Sequence, residues 1–553
     1  MADHMAAGAY HQLLRAATTP LALQLLLLLA IPLLFLHFVS QRHRHGSSKP
    51  QPKKRVLPPS PPALPIIGHL HLVGDRPHIS LRTLAAKHGS GGGGLMLLRL
   101  GAVPNLVVSS PRAAQLVMRT HDHAFASRPA SKVSDALLYG SSDIGFSPYG
   151  EHWRQLRRLV TTHLFTVKKV NSYRLARQEE VRLVMDKIRE AVAGSKTVDI
   201  SETMNTYAND MVCRAVSGKF FRAEGRNKLF RELIEVNTRL ITGFNLEEYY
   251  PGLANALSSL MASWFASNEV AKAHKRWDEL LETIIKDHEG RRSRSDVGDV
   301  GDDAGQEESD FIDVLLSVHK EYGITRDHIK AILMDMFGAG TDTSSLVLEL
   351  AMAELMRNPE LMTKLQAEVR ENTPRGQEMV TQDDIANMPY LRPVVKETLR
   401  LHPPAPLLLP HLSMVDCEVD GYTIPSGTRV IINEWAISRD PDSWEKAEEF
   451  MPERFMDGGS AAAVDFRGND FQFVPFGAGR RICPGLNFGM ATVEIMLANL
   501  VYCFDWELPA GMAKEEIDMT EVFGLTVHPK EKLILVPKPR GAVAHACRMS
   551  DSF

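Results

Sequence analysis

Helical patterns of hydrophobic and polar residues dominate this chain from about Arg112 to Arg400. Apolar residues there recur at spacings that put them on one face of a helix. Shorter runs have the character of strands: "LMLLRLG" and "NLVVSS" (95–101 and 105–110) predict a hairpin, and "CEVDGYTIPSGTRVIIN" (417–433) predicts further strands. A short helix is predicted at "SLRTLAAKHG" (80–89), and a long apolar helix follows Cys483. The pattern therefore predicts a mainly α fold with a smaller β-rich portion.

Two glycine-containing segments interrupt the pattern and are predicted to be loops. "GSGGGG", Gly89 to Gly94, formally fits a dinucleotide-binding spacing, but it follows a helix and precedes a strand, the reverse of that motif's order. Arg291 to Asp310 is charged and almost free of large apolar residues, which predicts a mobile surface loop between helices. No repeat of fixed period occurs, so we expect one large domain.

The N-terminal region contains an apolar segment, "PLALQLLLLLAIPLLFLHFV", long enough to cross a membrane. About 20 apolar residues span a bilayer as a helix, and basic residues are more frequent after this segment than before it, which favours a cytosolic location for the rest of the chain. A cleaved signal peptide is the alternative, but no small-residue cleavage site precedes the basic run. The predicted order is a short luminal N-terminus (1–19), a transmembrane anchor (20–39), a basic and proline-rich linker (40–65), a catalytic domain (66–540) and a C-terminal tail (541–553).

Composition narrows the possible functions further. The formal net charge is −4 and no basic stripe emerges, which argues against binding to nucleic acid. The five cysteines lie far apart with no C-x-x-C pair, which argues against a disulfide framework and a zinc ribbon. Four of them are expected to be small buried hydrophobic residues. Cys483 is the exception.

Cys483 lies in "FVPFGAGRRICPG" (473–485), where the local sequence favours an anionic sulfur. Gly477 and Gly479 permit a tight turn, and Gly485 allows close backbone approach just past the sulfur. The predicted helix places the thiol at a helix N-terminus, where the dipole favours a thiolate. Arg481 adds a nearby cation. A buried structural cysteine after a glycine turn is the alternative.

A second motif lies in "AILMDMFGAGTDTSSLVLEL" (331–350). Asp342 and Thr343 put an acid beside an alcohol, a pair that can relay protons. Two glycines just before them allow the helix to loosen locally. The alternative is that both side chains decorate a surface helix, which the surrounding apolar residues make less favourable.

Two further motifs combine charged and aromatic residues. Glu397 and Arg400 form an E-x-x-R pair on one helical face, and Arg454 follows in "MPERF". Trp153 and Arg157, four residues apart in "EHWRQLRR", place two hydrogen-bond donors on one face. Taken alone, each fits an ordinary amphipathic helix.

Together these motifs resemble the cytochrome P450 family, over about residues 58–540. Phrases such as "LPIIGHLHLVGDRPHISLRTLAAKHG" and "LRLGAVPNLVVSSPRAA" resemble plant microsomal members, in particular grass enzymes that hydroxylate indole-derived, benzoxazinoid-type compounds. The resemblance implies a P450 fold preceded by one transmembrane helix. The segment around Cys483 matches the family signature F-x-x-G-x-R-x-C-x-G at Phe476, Gly479, Arg481, Cys483 and Gly485.

The resemblance also implies a role for each motif. Haem b would be bound with the Cys483 thiolate as its proximal iron ligand, which favours O–O cleavage. Thr343 would hold water or oxygen, and Asp342 would supply protons. The remaining residues divide into a buried network that fixes the ligand loop, Glu397, Arg400 and Arg454, and propionate donors, Arg481, Trp153 and Arg157.

One position departs from the family pattern. After "RLHPPAPLLLP" many members carry an arginine that pairs with a propionate, and His411 stands there in this chain. A neutral imidazole can donate one hydrogen bond but carries no fixed charge. His411 is therefore retained as a candidate cofactor contact.

The implied activity is a monooxygenase that inserts one atom of dioxygen into a small apolar molecule. Electrons would come from NADPH through a membrane reductase docking near Cys483, at the endoplasmic reticulum membrane. By analogy the substrate pocket would draw on apolar segments at 137–146, 240–246, 405–409 and 522–526, with Phe337 and Ala339. The alternatives are a haem-thiolate dehydratase or isomerase that uses no dioxygen, and a haem-binding protein without turnover.

Overall fold

The computed structural model describes residues 56–540, except 90–93, 223–224, 244, 253–265 and 296–308. The predicted luminal segment, membrane anchor and C-terminal tail, with most of the linker, lie outside the described residues. From Leu57 onward the chain forms one compact unit.

Helices make up most of the described chain. The α-helices are α1 (Pro77–His88), α2 (Pro111–Gln115), α3 (Asp122–Phe125), α4 (Lys132–Leu137), α5 (Glu151–Leu159), α6 (Val167–Ser172), α7 (Arg174–Ala193), α8 (Ile200–Ser217), α9 (Arg226–Thr242), α10 (Leu246–Tyr249), α11 (Ala266–Ser295), α12 (Phe311–Val318), α13 (Arg326–Arg357), α14 (Pro359–Asn372), α15 (Leu391–Leu401), α16 (Glu434–Ile437) and α17 (Leu486–Cys503). Short 3₁₀ and π turns occur at Leu70–Leu72, Leu116–Thr120, Val160–Leu164, Lys219–Arg222, Asp384–Asn387, Pro452–Phe455, Gly479–Arg481 and Lys514–Glu516.

The strands form small sheets at the periphery of the helices. They are β1 (Leu95–Leu100), β2 (Val103–Val108), β3 (Val198–Asp199), β4 (His411–Leu412), β5 (Cys417–Val419), β6 (Tyr422–Ile424), β7 (Arg429–Ile432), β8 (Phe504–Glu507), β9 (Glu521–Val522), β10 (His528–Pro529) and β11 (Ile534–Pro539). The largest sheet has the order β1-β2-β7-β4, in which β1 and β2 form the predicted antiparallel hairpin and β2 pairs with β7 in parallel. The remaining sheets are β3-β11-β8, β5-β6 and β9-β10. The predicted mainly α architecture is confirmed.

Two long helices, α13 and α17, form the core that positions the site. Helix α13 begins at a capping box, in which Thr325 and His328 satisfy each other's backbone N–H groups. It is buried over most of its length and packs against α8, α15 and α17. Among the described residues, α17 is the helix with the length and apolarity of a membrane span, yet 78% of it is buried inside the protein. An all-round apolar helix in this position is a core helix.

Three sequence-based expectations are corrected by the fold. Helix α11 continues to Ser295, so residues 291–295 are helical and not part of the predicted loop, of which residues 296–308 lie outside the described residues. Only Cys213 behaves as a fully buried hydrophobic residue, because Cys417 and Cys503 are half-exposed; Cys547 lies outside the described residues. Phe337, expected at the substrate pocket, has no exposed surface and stacks on Phe230 with 3.7 Å between ring centroids, so it belongs to the core.

Candidate functional site

The middle of helix α13 is partly exposed, although the side chains before and after it along the helix are mostly buried. Ala339 is exposed, and Gly338, Gly340, Asp342 and Thr343 are half-exposed. Exposed residues on a core helix border space that protein atoms do not fill. The predicted acid–alcohol pair lies within this stretch, not on a surface helix.

The two side chains of the pair have different surroundings. The Thr343 hydroxyl donates to the Ala339 carbonyl oxygen at 2.7 Å. Asp342 borders a cavity of about 700 Å³ that is also lined by Glu235 and His528. Burial raises the pKa of Asp342; the charge of His528 lowers this pKa, and that of Glu235 raises it. A carboxyl group with a raised pKa beside a cavity lined mostly by polar residues is suited to proton transfer.

Of the expected pocket segments, 240–246 reaches this cavity through Thr242, and most of the residues that line the cavity are polar or charged. Val522 is 54% exposed, at the surface. Two of the expected segments do meet elsewhere, because a Cβ atom on Gly145 would lie 3.7 Å from Leu409 Cδ1. Segments 137–146 and 405–409 are therefore neighbours, as expected.

Backbone hydrogen bonds shape the loop that bears Cys483. The Cys483 N–H donates to the Phe476 carbonyl at 2.8 Å, and the Gly477 N–H donates to Val474 at the same distance. Gly479 has a φ of +64°, and a Cβ atom there would lie 2.1 Å from the Met118 carbonyl oxygen. Only glycine fits at position 479.

The Cys483 sulfur lies just before α17, as predicted. The backbone N–H groups of Gly485 and Leu486, and the charge of Arg157, lower the pKa of the thiol, but burial outweighs them and raises it. Burial thus acts against the anionic sulfur that the sequence predicts, and iron bound to the sulfur would supply the positive charge that stabilises a thiolate. The cation that acts on the sulfur is Arg157 and not Arg481, which corrects the expectation.

Space is available next to the sulfur. A Cβ atom on Gly485 would lie 3.8 Å from Cys483 Sγ and 3.9 Å from Phe165, ordinary contact distances. A cavity of about 260 Å³ is bordered by Cys483, Arg157 and Arg467. The Phe476 ring packs on Phe466 with 5.6 Å between centroids and closes one side of the loop.

Buried cations gather a short distance from the cysteine loop. The Arg481 guanidinium donates to the carbonyls of Ala126 (2.7 Å), Ile144 (3.1 Å) and Ser147 (2.6 Å), and lies 4.1 Å from the Trp153 ring centroid. Burial lowers the pKa of Arg481 to about 10.

Arg128 extends this cluster and was not found by sequence reasoning. Burial and the charge of Arg481 lower the pKa of Arg128 to about 9. Its guanidinium donates to the carbonyls of Gly145 (3.0 Å), Leu409 (2.8 Å) and Pro410 (3.0 Å). A lone arginine before a proline carries no local sequence signal, because only the tertiary fold buries it.

The cation cluster fits the propionates of haem. Arg128 and Arg481 are buried and Arg157 is half-buried. Asp143 acts on both buried arginines, and Asp122 acts on Arg481 as well. Buried charges are retained when they are paired, and three cations beside two carboxylates leave room for an anionic partner.

Arg128, Arg481 and Arg157 would hold the propionates, and Cys483 would bind the iron. Trp153, expected as a propionate donor, already donates its Nε1–H to the Ile144 carbonyl at 3.0 Å, and its ring packs on Arg481.

His411 lies in the same cluster but is held as a neutral group. Its Nδ1 lies 2.8 Å from the Phe125 carbonyl, which fixes the N–H there. Burial and the charges of Arg128 and Arg481 lower the pKa of His411 to about 3. The hydrogen bond that it could offer to a propionate is therefore already used.

Glu397, Arg400 and Arg454 meet in a fully buried network, with no exposed side-chain surface. Arg400 donates to both Glu397 oxygens at 2.8 Å, and Arg454 Nε donates to Oε1 at 3.1 Å. The two guanidinium groups also donate to the backbone carbonyls of Ser438, Glu445, Lys446, Ala447 and Glu449. The network therefore fixes the segment that leads to the cysteine loop.

Glu434 also supports this loop and was not found by sequence reasoning. Its Oε1 accepts from the Val474 N–H at 3.0 Å and from the Ser438 hydroxyl at 2.7 Å. Burial raises the pKa of Glu434 to about 8. Glutamate at the start of a short helix looks like an ordinary surface residue in the sequence.

A cysteine just before a helix N-terminus, with buried arginines in the same fold and an acid–alcohol pair on a core helix, has the chemistry of a haem-thiolate site. The sequence profile of the cytochrome P450 family matches residues 58–536, and the chain belongs to this family.

Curated relatives extend over nearly the whole chain. Indole-2-monooxygenase of Zea mays is 52% identical over 97% of this chain and 100% of its own length. Indolin-2-one monooxygenase of Zea mays is 50% identical over 97% of this chain and 99% of its own. For 3-hydroxyindolin-2-one monooxygenase of the same plant the values are 50%, 93% and 94%. These comparisons confirm the predicted family, its haem b cofactor with a cysteine thiolate ligand, and the monooxygenase class.

A solved structure has the same fold. A zebrafish cytochrome P450 with progesterone superimposes with a TM-score of 0.67 at 24% identity, covering 84% of this chain and 99% of that chain. At this identity the similarity concerns the fold alone.

The buried network predicts a stability effect for Glu397→Gln. We expect the variant to lose about 3–5 kcal/mol of unfolding free energy and to incorporate little haem, because two buried guanidinium groups lose their counter-charge. Urea unfolding and the haem-to-protein absorbance ratio measure both.

Glu151→Gln is the matched control, since Glu151 and Arg154 form an E-x-x-R pair that is exposed. We expect no measurable change in that variant. Equal effects of the two substitutions would contradict the structural role of the buried network.

Glu434 predicts a pH-dependent stability. Between its ordinary pKa of 4.5 and about 8, the unfolded state ionises Glu434 while the folded state keeps the proton, so rising pH destabilises the fold. The slope is at most about 1.4 kcal/mol per pH unit. Urea midpoints at pH 5, 6.5 and 8 should fall less steeply in Glu434→Gln than in the wild type. Parallel profiles would mean that Glu434 ionises normally.

Proposed function

We propose that this chain is a membrane-anchored P450 monooxygenase that hydroxylates an indole derivative. The observation that carries the proposal is the identity of 50–52% to three monooxygenases whose names specify indole or an indolinone, over nearly the full length of each chain. A shared apolar bicyclic substrate class is the simplest consequence of such similarity.

Within the site, Cys483 is proposed as the proximal iron ligand. Bound haem supplies the activation of dioxygen, and the protein groups position and protect it. Arg128, Arg481 and Arg157 are proposed to bind the propionates, supported by their burial and by the surplus of positive charge around them, with Trp153 packed on Arg481.

Asp342 and Thr343 are proposed to deliver protons to the reaction site. Asp342 can take a proton from water in the adjoining cavity, since burial keeps its pKa above the ordinary value. The Thr343 hydroxyl can rotate from the Ala339 carbonyl toward a bound molecule, passing a proton on. This acid–alcohol pair favours oxygen-dependent chemistry over a dehydratase or isomerase.

Electron supply and membrane attachment complete the proposal. An NADPH-dependent reductase would dock near Cys483, where Arg157 and Arg467 border the surface cavity. The apolar segment at 20–39 would anchor the chain in the endoplasmic reticulum membrane, in contact with lipid, with the catalytic body in the cytosol.

Ligation by Cys483 predicts the absorption spectrum. The reduced, CO-bound holoenzyme should show the red-shifted Soret band of thiolate ligation, and Cys483→Ala should remove it. Cys503→Ala is the matched control, because this half-exposed thiol lies at the far end of α17 and should leave the band unchanged. A normal band in Cys483→Ala would contradict the assignment.

The substrate class predicts a selective turnover pattern. Microsomes holding the enzyme and a plant reductase receive NADPH with indole, indolin-2-one, 3-hydroxyindolin-2-one, terpenoids or phenylpropanoids. We expect an indole derivative to stimulate NADPH consumption and to gain one oxygen atom from labelled dioxygen, as measured by mass spectrometry. Microsomes holding Cys483→Ala are the control. Turnover of terpenoids or phenylpropanoids alone would overturn the indole assignment while leaving the monooxygenase class intact.

A further inference from the structure

Residues 143–147, between α4 and α5, connect the centre of α13 to the cation cluster. Both faces of this segment make hydrogen bonds: its N–H groups donate to two carboxyl groups, and its carbonyls accept from the cations. The sequence predicted residues 137–146 only as part of the substrate pocket and gave no sign of these hydrogen bonds.

On one face, two aspartates accept the backbone N–H groups. Asp335 Oδ2, on α13, accepts from Ile144 at 2.7 Å and from Gly145 at 3.2 Å. Asp143 Oδ2 accepts from Phe146 at 2.6 Å. The two carboxyl groups adjoin each other, since a Cβ atom on Gly145 would lie 3.3 Å from Asp143 Oδ2 and 3.6 Å from Asp335 Oδ1.

On the other face, the carbonyls accept from the side chains of the cation cluster. The Ile144 carbonyl accepts from Trp153 Nε1 at 3.0 Å and from Arg481 Nη1 at 3.1 Å. The Gly145 carbonyl accepts from Arg128 Nε at 3.0 Å.

Peptide planarity couples the two faces. The Ile144 carbonyl and the Gly145 N–H belong to one planar trans unit and point in opposite directions. When Asp335 fixes that N–H, it also fixes the direction of the carbonyl that Trp153 and Arg481 share. The next peptide unit repeats the arrangement, with Asp143 on its N–H and Arg128 on its carbonyl.

We propose that Asp335 is a positioning residue for haem binding, which acts through the Ile144–Gly145 peptide to orient Trp153 and Arg481. The proposal rests on the proposed assignment of Arg481 to a propionate, with Trp153 packed against Arg481 and bonded to the same carbonyl. Asp335 itself would touch neither the haem nor the substrate.

Burial raises the pKa of both carboxyl groups, but the hydrogen bond with Asp335 and the charge of Arg481 lower that of Asp143, so the shared proton is favoured on Asp335. Burial and the neighbouring Asp143 raise the pKa of Asp335 well above its ordinary value. Protonated Asp335 can donate to Asp143 through one oxygen while the other accepts the backbone N–H groups. The Asp143 charge then stays available to Arg481 and Arg128, on both of which it acts.

A neutral positioning residue makes an unusual prediction for Asp335→Asn. The amide oxygen can accept the same N–H groups, and the amide NH₂ can donate to Asp143. We therefore expect Asp335→Asn to lose haem at nearly the wild-type rate, whereas Asp335→Ala leaves two backbone donors unpaired and loses it roughly tenfold faster. The measurement is haem transfer from each holoenzyme to excess apomyoglobin.

Two further comparisons separate positioning from general stability. Trp153→Phe should accelerate haem transfer in the wild-type background but add little to Asp335→Ala, because both substitutions act on one contact chain. Glu349→Gln is the matched control. Glu349 is another carboxyl of α13 with a raised pKa, but it accepts from the Ser201 hydroxyl, so this substitution should leave the rate of haem transfer unchanged. All variants with bound haem should keep the thiolate band in their reduced CO spectra.

The outcomes distinguish the two levels of the proposal. Wild-type haem transfer in Asp335→Ala, or additive effects with Trp153→Phe, overturns the positioning role while the propionate assignment stands. Unchanged rates in both Trp153→Phe and Arg481→Lys overturn the propionate assignment itself. If Asp335→Ala does not fold, Asp335→Ser replaces it in the same cycle, and rapid haem loss from Asp335→Asn also counts against a neutral Asp335.

Discussion

The site depends on buried positive charge that the protein only partly neutralises. Backbone carbonyls hold Arg128 and Arg481; Asp143 acts on both arginines, and Asp122 acts on Arg481. Carbonyl dipoles satisfy the guanidinium N–H groups but bring no counter-charge. In the proposed site the two propionates of haem would supply the missing charge, and the electrostatic cost of burying the arginines would become specificity for a dianionic ligand.

At Cys483 the charge that the protein lacks is positive rather than negative. Burial raises the pKa of this thiol despite two backbone donors and Arg157, so the protein alone favours the neutral form. The iron supplies the positive charge that a thiolate needs. Haem would therefore supply both missing charges, with its propionates beside the arginines and its iron beside the sulfur. The Glu397 network needs no cofactor, because its carboxylate already pairs with Arg400 and Arg454.

The structural features that could be predicted from the sequence are those set by neighbouring residues. The hairpin of β1 and β2, the long α13 and the turn before α17 follow from periodicity, glycine placement and spacing. The roles of Arg128, Glu434 and Asp335 were not predicted, because they arise from contacts between segments that are distant in sequence. Arg481 illustrates the same limit: its proximity to Cys483 in sequence suggested a direct effect on the sulfur, but its side chain turns toward Ala126 and Ser147.

The substrate region shows where sequence pattern is weakest. Apolar composition cannot separate a pocket wall from core, and Phe337 proved to be packed on Phe230. The proposal that Cys483 binds the haem iron is tested most directly by X-ray absorption at the iron edge of the resting holoenzyme. We expect one sulfur ligand on the iron in the wild type and none in haem-reconstituted Cys483→Ala. A coordination shell of nitrogen and oxygen alone in the wild type would contradict it.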